Sequence, residues 1–203
     1  MATKEYEVGA EQGKNGKNYD PNRKGNFIYT YSGVRFYPLD PRPEDINIPD
    51  IAHALAQSCR FTGHTSKFYS VAEHAVRMAC EALKQGMSRE LAFVALMHDA
   101  SEAYIVDVPR PLKAEPYFGA LYKKYEEGIM EVVAAKYNFA WPMPDEIKIL
   151  DNRLLNTEQR DLMPPAANTE VWFPDAGILK RKICPWSPAK AEKKFLEEVY
   201  HLS

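Results

Sequence analysis

Apolar residues recur with the period of an α-helix along most of the chain after residue 48. The segment before Tyr104 shows this most clearly, because apolar residues at i, i+3 and i+4 share a helix face with a histidine at i+7. These positions are Leu91, Val94, Ala95 and His98. The spacing therefore predicts a series of helices, over residues 48–58, 70–86, 88–104, a long segment through 121–136, residues 145–162 and the stretch after Pro188.

Capping residues mark where two of these helices begin. Ser70 and Glu73 have the spacing of a capping box, and Gly86 is the residue type that commonly closes a helix. Ser88 is the predicted N-cap of the helix that carries His98. We therefore expect one helix to start after Ser70 and the next after Ser88.

The N-terminal part has a different pattern. Residues 1–26 are polar and rich in Gly, Lys and Asn, which predicts a flexible arm. Residues 27–37 predict two short strands around Ser32-Gly33, and proline-rich residues 164–187 predict a long loop. We therefore expect residues 27–203 to form one domain, a compact all-α bundle with a small N-terminal β-hairpin.

Composition narrows the class of protein. The 203 residues, 45% apolar and 27% charged, suit one globular domain. A net charge of −2 speaks against nucleic-acid binding, and three cysteines without a CxxC pair suit reduced thiols. The sequence shows no 18-residue apolar run and no signal peptide. We expect a cytoplasmic protein with no membrane and no nucleic-acid partner.

Four residues on three predicted helices suggest a metal site. His98 and Asp99 are adjacent, His74 lies on an earlier helix, and Asp151 lies on the apolar face of a later one. A buried carboxylate is costly unless a cation or several donors meet it, and a set of imidazoles and carboxylates suits a divalent transition metal. Each residue alone also fits ordinary packing, as a hydrogen-bonded core histidine or an aspartate satisfied by a cap or an arginine.

Four motifs in a fixed order reveal a family resemblance. They are FYSVAEH at 68–74, MHDASEAY at 97–104, DVPRPLK at 107–113 and ILDNRLL at 149–155. In these segments the chain resembles HD-domain phosphohydrolases, above all bacterial 5′-deoxynucleotidases and small phage dATP triphosphohydrolases. The resemblance spans about residues 48–163 and implies an HD-domain helical bundle.

The resemblance implies a role for each matching residue. The implied metal ligands are His74, His98, Asp99 and Asp151. Glu102 would handle a proton of the attacking water, while Asp107 would assist the leaving oxygen or hold a second metal. The implied substrate-binding residues are Arg60, Phe61, His64 and Lys113. Phe61 stands where the deoxynucleotidases have tryptophan, which puts its contact with base or sugar in doubt.

The implied activity is cleavage of a deoxynucleotide at its 5′ position. The products would be the deoxynucleoside and either phosphate, for a 5′-deoxynucleotidase, or triphosphate, for a dATP triphosphohydrolase. The cofactor would be Zn, Co, Mn, Fe or Ni, with room for a second divalent metal on the substrate phosphates. The resemblance also implies a homo-oligomer, in the host cytoplasm if phage-encoded. The alternative is a non-catalytic sensor module that binds a nucleotide.

Overall fold

The protein is described by a computed structural model that covers residues 20–165 and 170–203. Its architecture is all-α with one small β-hairpin, as expected from the sequence. The helices are α1 (Ile48–Gln57), α2 (Val71–Lys84), α3 (Arg89–Met97), α4 (Glu102–Ile105), α5 (Arg110–Lys113), α6 (Pro116–Tyr137), α7 (Asp145–Leu162) and α8 (Pro188–Leu202). Most of the predicted arm, residues 1–19, lies outside the described residues.

The predicted caps of α2 and α3 are present. The Ser70 hydroxyl accepts a hydrogen bond from the Glu73 amide, and Ser88 does the same for Leu91. The Glu73 carboxylate instead contacts Arg77 and the Trp186 amide. Ser70 therefore caps α2, while Glu73 ties the helix to the segment before α8.

The helix predicted over residues 88–104 is interrupted at the metal-site motif. α3 ends at Met97, and α4 begins at Glu102. In the intervening turn the amides of Ala100 and Glu102 donate to the carbonyls of Met97 and Asp99. These bonds span three residues instead of four, so the chain tightens here and leaves the α-helical path. The prediction of one continuous helix was wrong.

The core forms around α2, which packs against α1, α3, α7 and α8. Its apolar face is completely buried, for example at Val76 and Met78. The long helix α6 covers the predicted segment, in which Leu121, Ile129, Val132 and Lys136 share a helical spacing. Of these, Ile129 is fully buried and Val132 half-buried, whereas Leu121 and Lys136 are exposed. Apolar spacing therefore located α6 correctly and identified its buried face only in part.

The hairpin pairs β1 (Ile28–Tyr29) antiparallel with β2 (Arg35–Phe36), with Ile28 opposite Phe36. The described end of the predicted arm is held against the domain. Arg23 bonds to Asp40 at 2.7 Å and to Asp45 at 2.5 Å, under the ring of Tyr37. Arg23 thus connects the described end of the predicted arm to the domain.

The segment before α8, which was predicted as a loop, packs along the side of α7. The Asn156 side chain bonds to the backbone of Phe173 and Gly177, and the Thr157 hydroxyl accepts from the Leu179 amide. We call residues 170–183 the strap. No helix within the described ranges is long and apolar enough to cross a membrane.

Candidate metal centre

Three elements bring the predicted metal ligands together. α2 supplies His74, the turn after α3 supplies His98 and Asp99, and α7 supplies Asp151. The ligand atoms of His74, His98 and Asp99 all lie within 4.8 Å of one another, so these three residues could hold a metal ion. The Asp151 Oδ1 atom lies 3.3 Å from His74 Nε2.

The spacing of these atoms suits a shared ion. His98 Nε2 lies 3.2 Å and His74 Nε2 3.9 Å from Asp99 Oδ2. Ligands about 2.1 Å from one ion at tetrahedral angles would lie about 3.4 Å apart. Moreover, the buried Nε2 atom of His74 has no hydrogen-bond partner among the described residues. A buried donor or acceptor without a partner is costly, so the site fits a cation that would bind this atom.

Each imidazole is oriented through its other nitrogen. His98 Nδ1 lies 2.8 Å from the Ala95 carbonyl oxygen, which can only accept, so Nδ1 carries the proton and Nε2 is left for a metal. His74 Nδ1 lies 2.6 Å from Glu158 Oε1. Carboxylates and carbonyls in these positions fix the ring and make the imidazole a better ligand.

Charges in the site shift several pKa values. Burial and the nearby Arg60 lower the pKa of His74, but Glu158 and Asp151 outweigh them and raise it to about 9. Burial raises the pKa of Asp99 and of Asp151, yet the imidazoles of His74 and His98 and the Arg60 guanidinium hold the pKa of Asp99 well below its usual range and lower that of Asp151. Both aspartates are therefore ionised at neutral pH, as metal ligands must be.

Arg60 is a buried cation between two carboxylates. Its Nη1 lies 3.4 Å from Asp99, and its Nε lies 3.4 Å from Glu158. The next two residues, Phe61 and Thr62, have φ angles of 55° and 54°. Non-glycine residues in this region are strained, and such strain is typical of functional sites. Arg60 is thus fixed at the edge of the site by a constrained turn.

Glu102 and Lys113 form a second charged group beside the ligands. Lys113 Nζ lies 3.4 Å from Glu102 and 2.9 Å from Glu126. Glu102 Oε2 is buried without a hydrogen-bond partner among the described residues. Burial, with Asp99 and Asp107 next in importance, raises the Glu102 pKa well above its usual value. Glu102 is thus able to hold a proton at neutral pH.

One cavity of about 900 Å³ unites these groups. Among its walls are nine of the ten residues selected from the sequence: Arg60, Phe61, His64, His98, Asp99, Glu102, Asp107, Lys113 and Asp151. The tenth, His74, is fully buried behind the cavity wall. The predicted residues are thus brought to a single place, although they come from separate segments of the chain.

Some residues of the site were missed in the sequence. Glu158 lies seven residues after Asp151, on the same face of α7, and this spacing was a usable signal. Arg110 was not selected from the sequence; its side chain is 57% exposed, and its guanidinium lies 3.4 Å from Asp151. The aromatic side chains of Trp172 and Phe173 line the cavity without any local signal, because the strap brings them there from far along the chain.

Comparisons with known proteins place the chain among uncharacterised relatives. It is 41% identical over 181 residues to the uncharacterized protein YfdR of Escherichia coli K12, covering 88% of this chain and 96% of YfdR. It is 36% identical over 121 residues to the uncharacterized protein RCAP_rcc00048 of Rhodobacter capsulatus, covering 58% of this chain and 61% of that protein. No protein-family model matches the chain.

Proposed function

The chain belongs to the same family as YfdR, and we propose that it is a metal-dependent phosphohydrolase that cleaves deoxynucleotides at their 5′ position. One observation carries the proposal. Two imidazoles and a carboxylate converge beside a protonatable glutamate, and the buried His74 Nε2 atom forms no hydrogen bond among the described residues although Asp151 Oδ1 lies 3.3 Å away. This arrangement of ligand atoms and a proton-transfer group is what metal-assisted hydrolysis requires.

His74, His98, Asp99 and Asp151 would hold the ion. When bound there, a divalent metal supplies a water of lowered pKa and neutralises charge on a phosphoryl group. Four protein ligands leave coordination positions open in an ion that takes five or six. Glu158 and the Ala95 carbonyl orient the two histidines for this role.

Glu102 is the proton-transfer group of the proposal. It is 4% exposed and belongs to the cavity wall, and its buried Oε2 atom has no hydrogen-bond partner in the described part of the chain. A carboxyl group with a raised pKa can exchange a proton near neutral pH, where proton transfer is most effective. Lys113 Nζ lies 3.4 Å from Glu102 Oε1, so this ammonium group holds the other carboxylate oxygen in place.

Cations around the cavity would bind the substrate phosphates. Arg60 is fixed by Asp99 and Glu158, while Arg110 and Lys113 reach the cavity from α5. Arg can bind a phosphate with two parallel hydrogen bonds, whereas Lys acts as a mobile point charge. Asp107 lines the same cavity and would assist the leaving 5′-oxygen or hold a second metal.

The cavity volume is in the range of pockets that hold a drug-sized ligand, about 300–1,000 Å³. Phe61 and Trp172, with ring centres 5.7 Å apart, offer aromatic surface for a base. Both a 5′-deoxynucleotidase and a dATP triphosphohydrolase agree with these features. That the protein forms a homo-oligomer and that it is an HD-domain phosphohydrolase are still predictions from the sequence.

A product assay tests the proposal. Metal-reconstituted protein is incubated with each of the four dNMPs and dNTPs, and phosphate and triphosphate are separated by chromatography. Triphosphate from one dNTP would make the protein a triphosphohydrolase, and phosphate from dNMPs alone would make it a 5′-deoxynucleotidase. The matched Asp151→Asn variant should be inactive. Nucleotide binding without turnover, with any of the candidate metals, would refute the enzyme and favour the sensor.

A further inference from the structure

A second cavity, of about 530 Å³, lies on another side of α7. Arg153 and Thr157 line it, and helical periodicity places them roughly opposite Asp151 and Leu155, which line the metal cavity. Among the described residues of its wall, Glu81 is the one carboxylate. The cationic residues of the wall are Arg77, Lys84, Arg153, Lys180 and Arg181, and we call this cavity the basic groove.

Two of the cations are neutralised by the protein. Arg77 bonds to Glu73 at 2.6 Å, and Lys84 lies 3.5 Å from Glu81. These pairs fix one wall of the basic groove. The charges of Arg77 and Lys84 are therefore already balanced by carboxylates of the protein.

The other three cations have no such compensation. Arg153, Lys180 and Arg181 lack a carboxylate within ion-pair distance in the described ranges. Arg153 is held by two neutral oxygens, the Ala176 carbonyl at 2.8 Å and Gln85 Oε1 at 3.3 Å. Its guanidinium is thus oriented by the fold but not neutralised. Like charges that line one concave surface repel each other until an anion binds between them.

We propose that the basic groove binds a small polyphosphate anion, either free triphosphate or the triphosphate chain of a nucleotide. The groove has the volume of a small-molecule site, and arginine is the residue that best matches phosphate geometry. The net charge of the whole chain is −2, so this local excess of cations is not a general property of its surface.

The strap connects the two cavities. Trp172 and Phe173 line the metal cavity, while residues 176–181 line the basic groove. Asn156 bonds to the carbonyls of both Phe173 and Gly177, so one side chain holds both parts of the strap. A bound anion restrains residues 176–181 and through them the aromatic wall of the metal cavity.

The test compares three forms of the full chain. The groove variant carries Lys180→Glu and Arg181→Glu, both at exposed positions. The matched control carries Lys124→Glu and Lys182→Glu, which are exposed, outside the groove and equal in charge change. Inorganic triphosphate and dATP are titrated by calorimetry. Hydrogen exchange of the backbone amides then locates the binding. The measurements with inorganic triphosphate do not depend on catalysis, so they separate this site from the proposed activity.

We expect triphosphate to bind the groove variant at least about tenfold more weakly than the wild type or the control, because two of the cations are reversed. Exchange in residues 176–183 should slow in the wild type and control only. If dATP gives the same protection as triphosphate, the phosphate chain is what the groove recognises. Equal affinity of groove variant and control would overturn the proposal. Slower hydrogen exchange confined to residues 98–113 would also overturn it. The same holds if an acidic peptide or an oligonucleotide slows exchange in the strap while triphosphate and dATP do not.

Discussion

Substitution of Glu158 by glutamine should weaken metal binding without disturbing the fold. Glu158 is fully buried and its Oε1 atom lies 2.6 Å from His74 Nδ1. Glutamine keeps the shape of the side chain and a carbonyl oxygen that accepts from Nδ1, but it removes the negative charge. Loss of such a partner behind a metal-bound histidine typically costs about 10–100-fold in affinity, or about 1.4–2.7 kcal/mol.

The size of the effect depends on pH in a way that the structure specifies. A metal needs His74 Nε2 free of its proton, and the pKa of His74 is about 9 in the metal-free protein. At pH 7, proton competition therefore weakens metal binding in the wild type by about 100-fold. Without the Glu158 charge the pKa falls towards 6.5, so competition nearly disappears. The deficit of the variant should thus be close to its full size at pH 9 and largely cancelled at pH 7, where the variant escapes the proton competition that weakens the wild type.

The same pair affects the stability of the metal-free protein. The pKa of His74 rises from 6.5 to about 9 on folding, so the protonated histidine stabilises the fold fully below pH 6.5. This contribution is lost as the pH rises through 9. The metal-free wild type should therefore become less stable over this window, whereas Glu158→Gln should show a smaller change. Denaturant unfolding at several pH values measures both curves.

The assay is a competition titration with a chromophoric chelator at pH 7, 8 and 9. The control is Glu146→Gln, an exposed position on the same helix. NMR titration of the metal-free forms reports the His74 pKa. If Glu158→Gln bound metal at pH 9 as tightly as the control and left the His74 pKa near 9, the role of Glu158 would be refuted.

Three further substitutions test the site and the core. Asp151→Asn should lower bound metal, measured by elemental analysis, and activity together; full metal content would remove Asp151 from the ligand set. Glu102→Gln should retain the metal but reduce turnover by about 10²–10⁴-fold in steady-state assays, and an undiminished rate would exclude proton transfer by Glu102. Phe195→Ala should reduce the free energy of unfolding by about 3–5 kcal/mol, because this ring is fully buried in the core. Leu196→Ala, at a 37% exposed neighbour, is the control and should change it much less in the same denaturant titration.

Local sequence signals located most of the helices. Apolar spacing and the caps Ser70 and Ser88 sufficed for α2 and for the start of α3, because a capped amphipathic helix depends mainly on residues within a few turns. The same spacing failed at Met97, where the helix gives way to a tight turn. Periodicity continues through such a turn, so it carries no information about the break.

The candidate site was only partly visible in the sequence. Residue types and motif order selected His74, His98, Asp99 and Asp151, and the structure brings them together at the meeting of α2, α3 and α7. Glu158 was missed although its spacing from Asp151 was informative. A carboxylate that orients a ligand differs in sequence from one on a solvated helix surface only through its partner, here an imidazole 84 positions away.

The amino-acid sequence by itself determined the helical class, the positions of the main helices and the identity of the chemically distinctive residues, because these depend on local propensity and residue type. Only the tertiary structure decided that Trp172 would reach the cavity of His98 and that Arg60 would be buried between Asp99 and Glu158. It also decided that Lys180 and Arg181 of the strap would line one cavity with Arg153 of α7. Such contacts join segments far apart in the chain. Their energies arise from burial and charge in three dimensions, which no local pattern encodes.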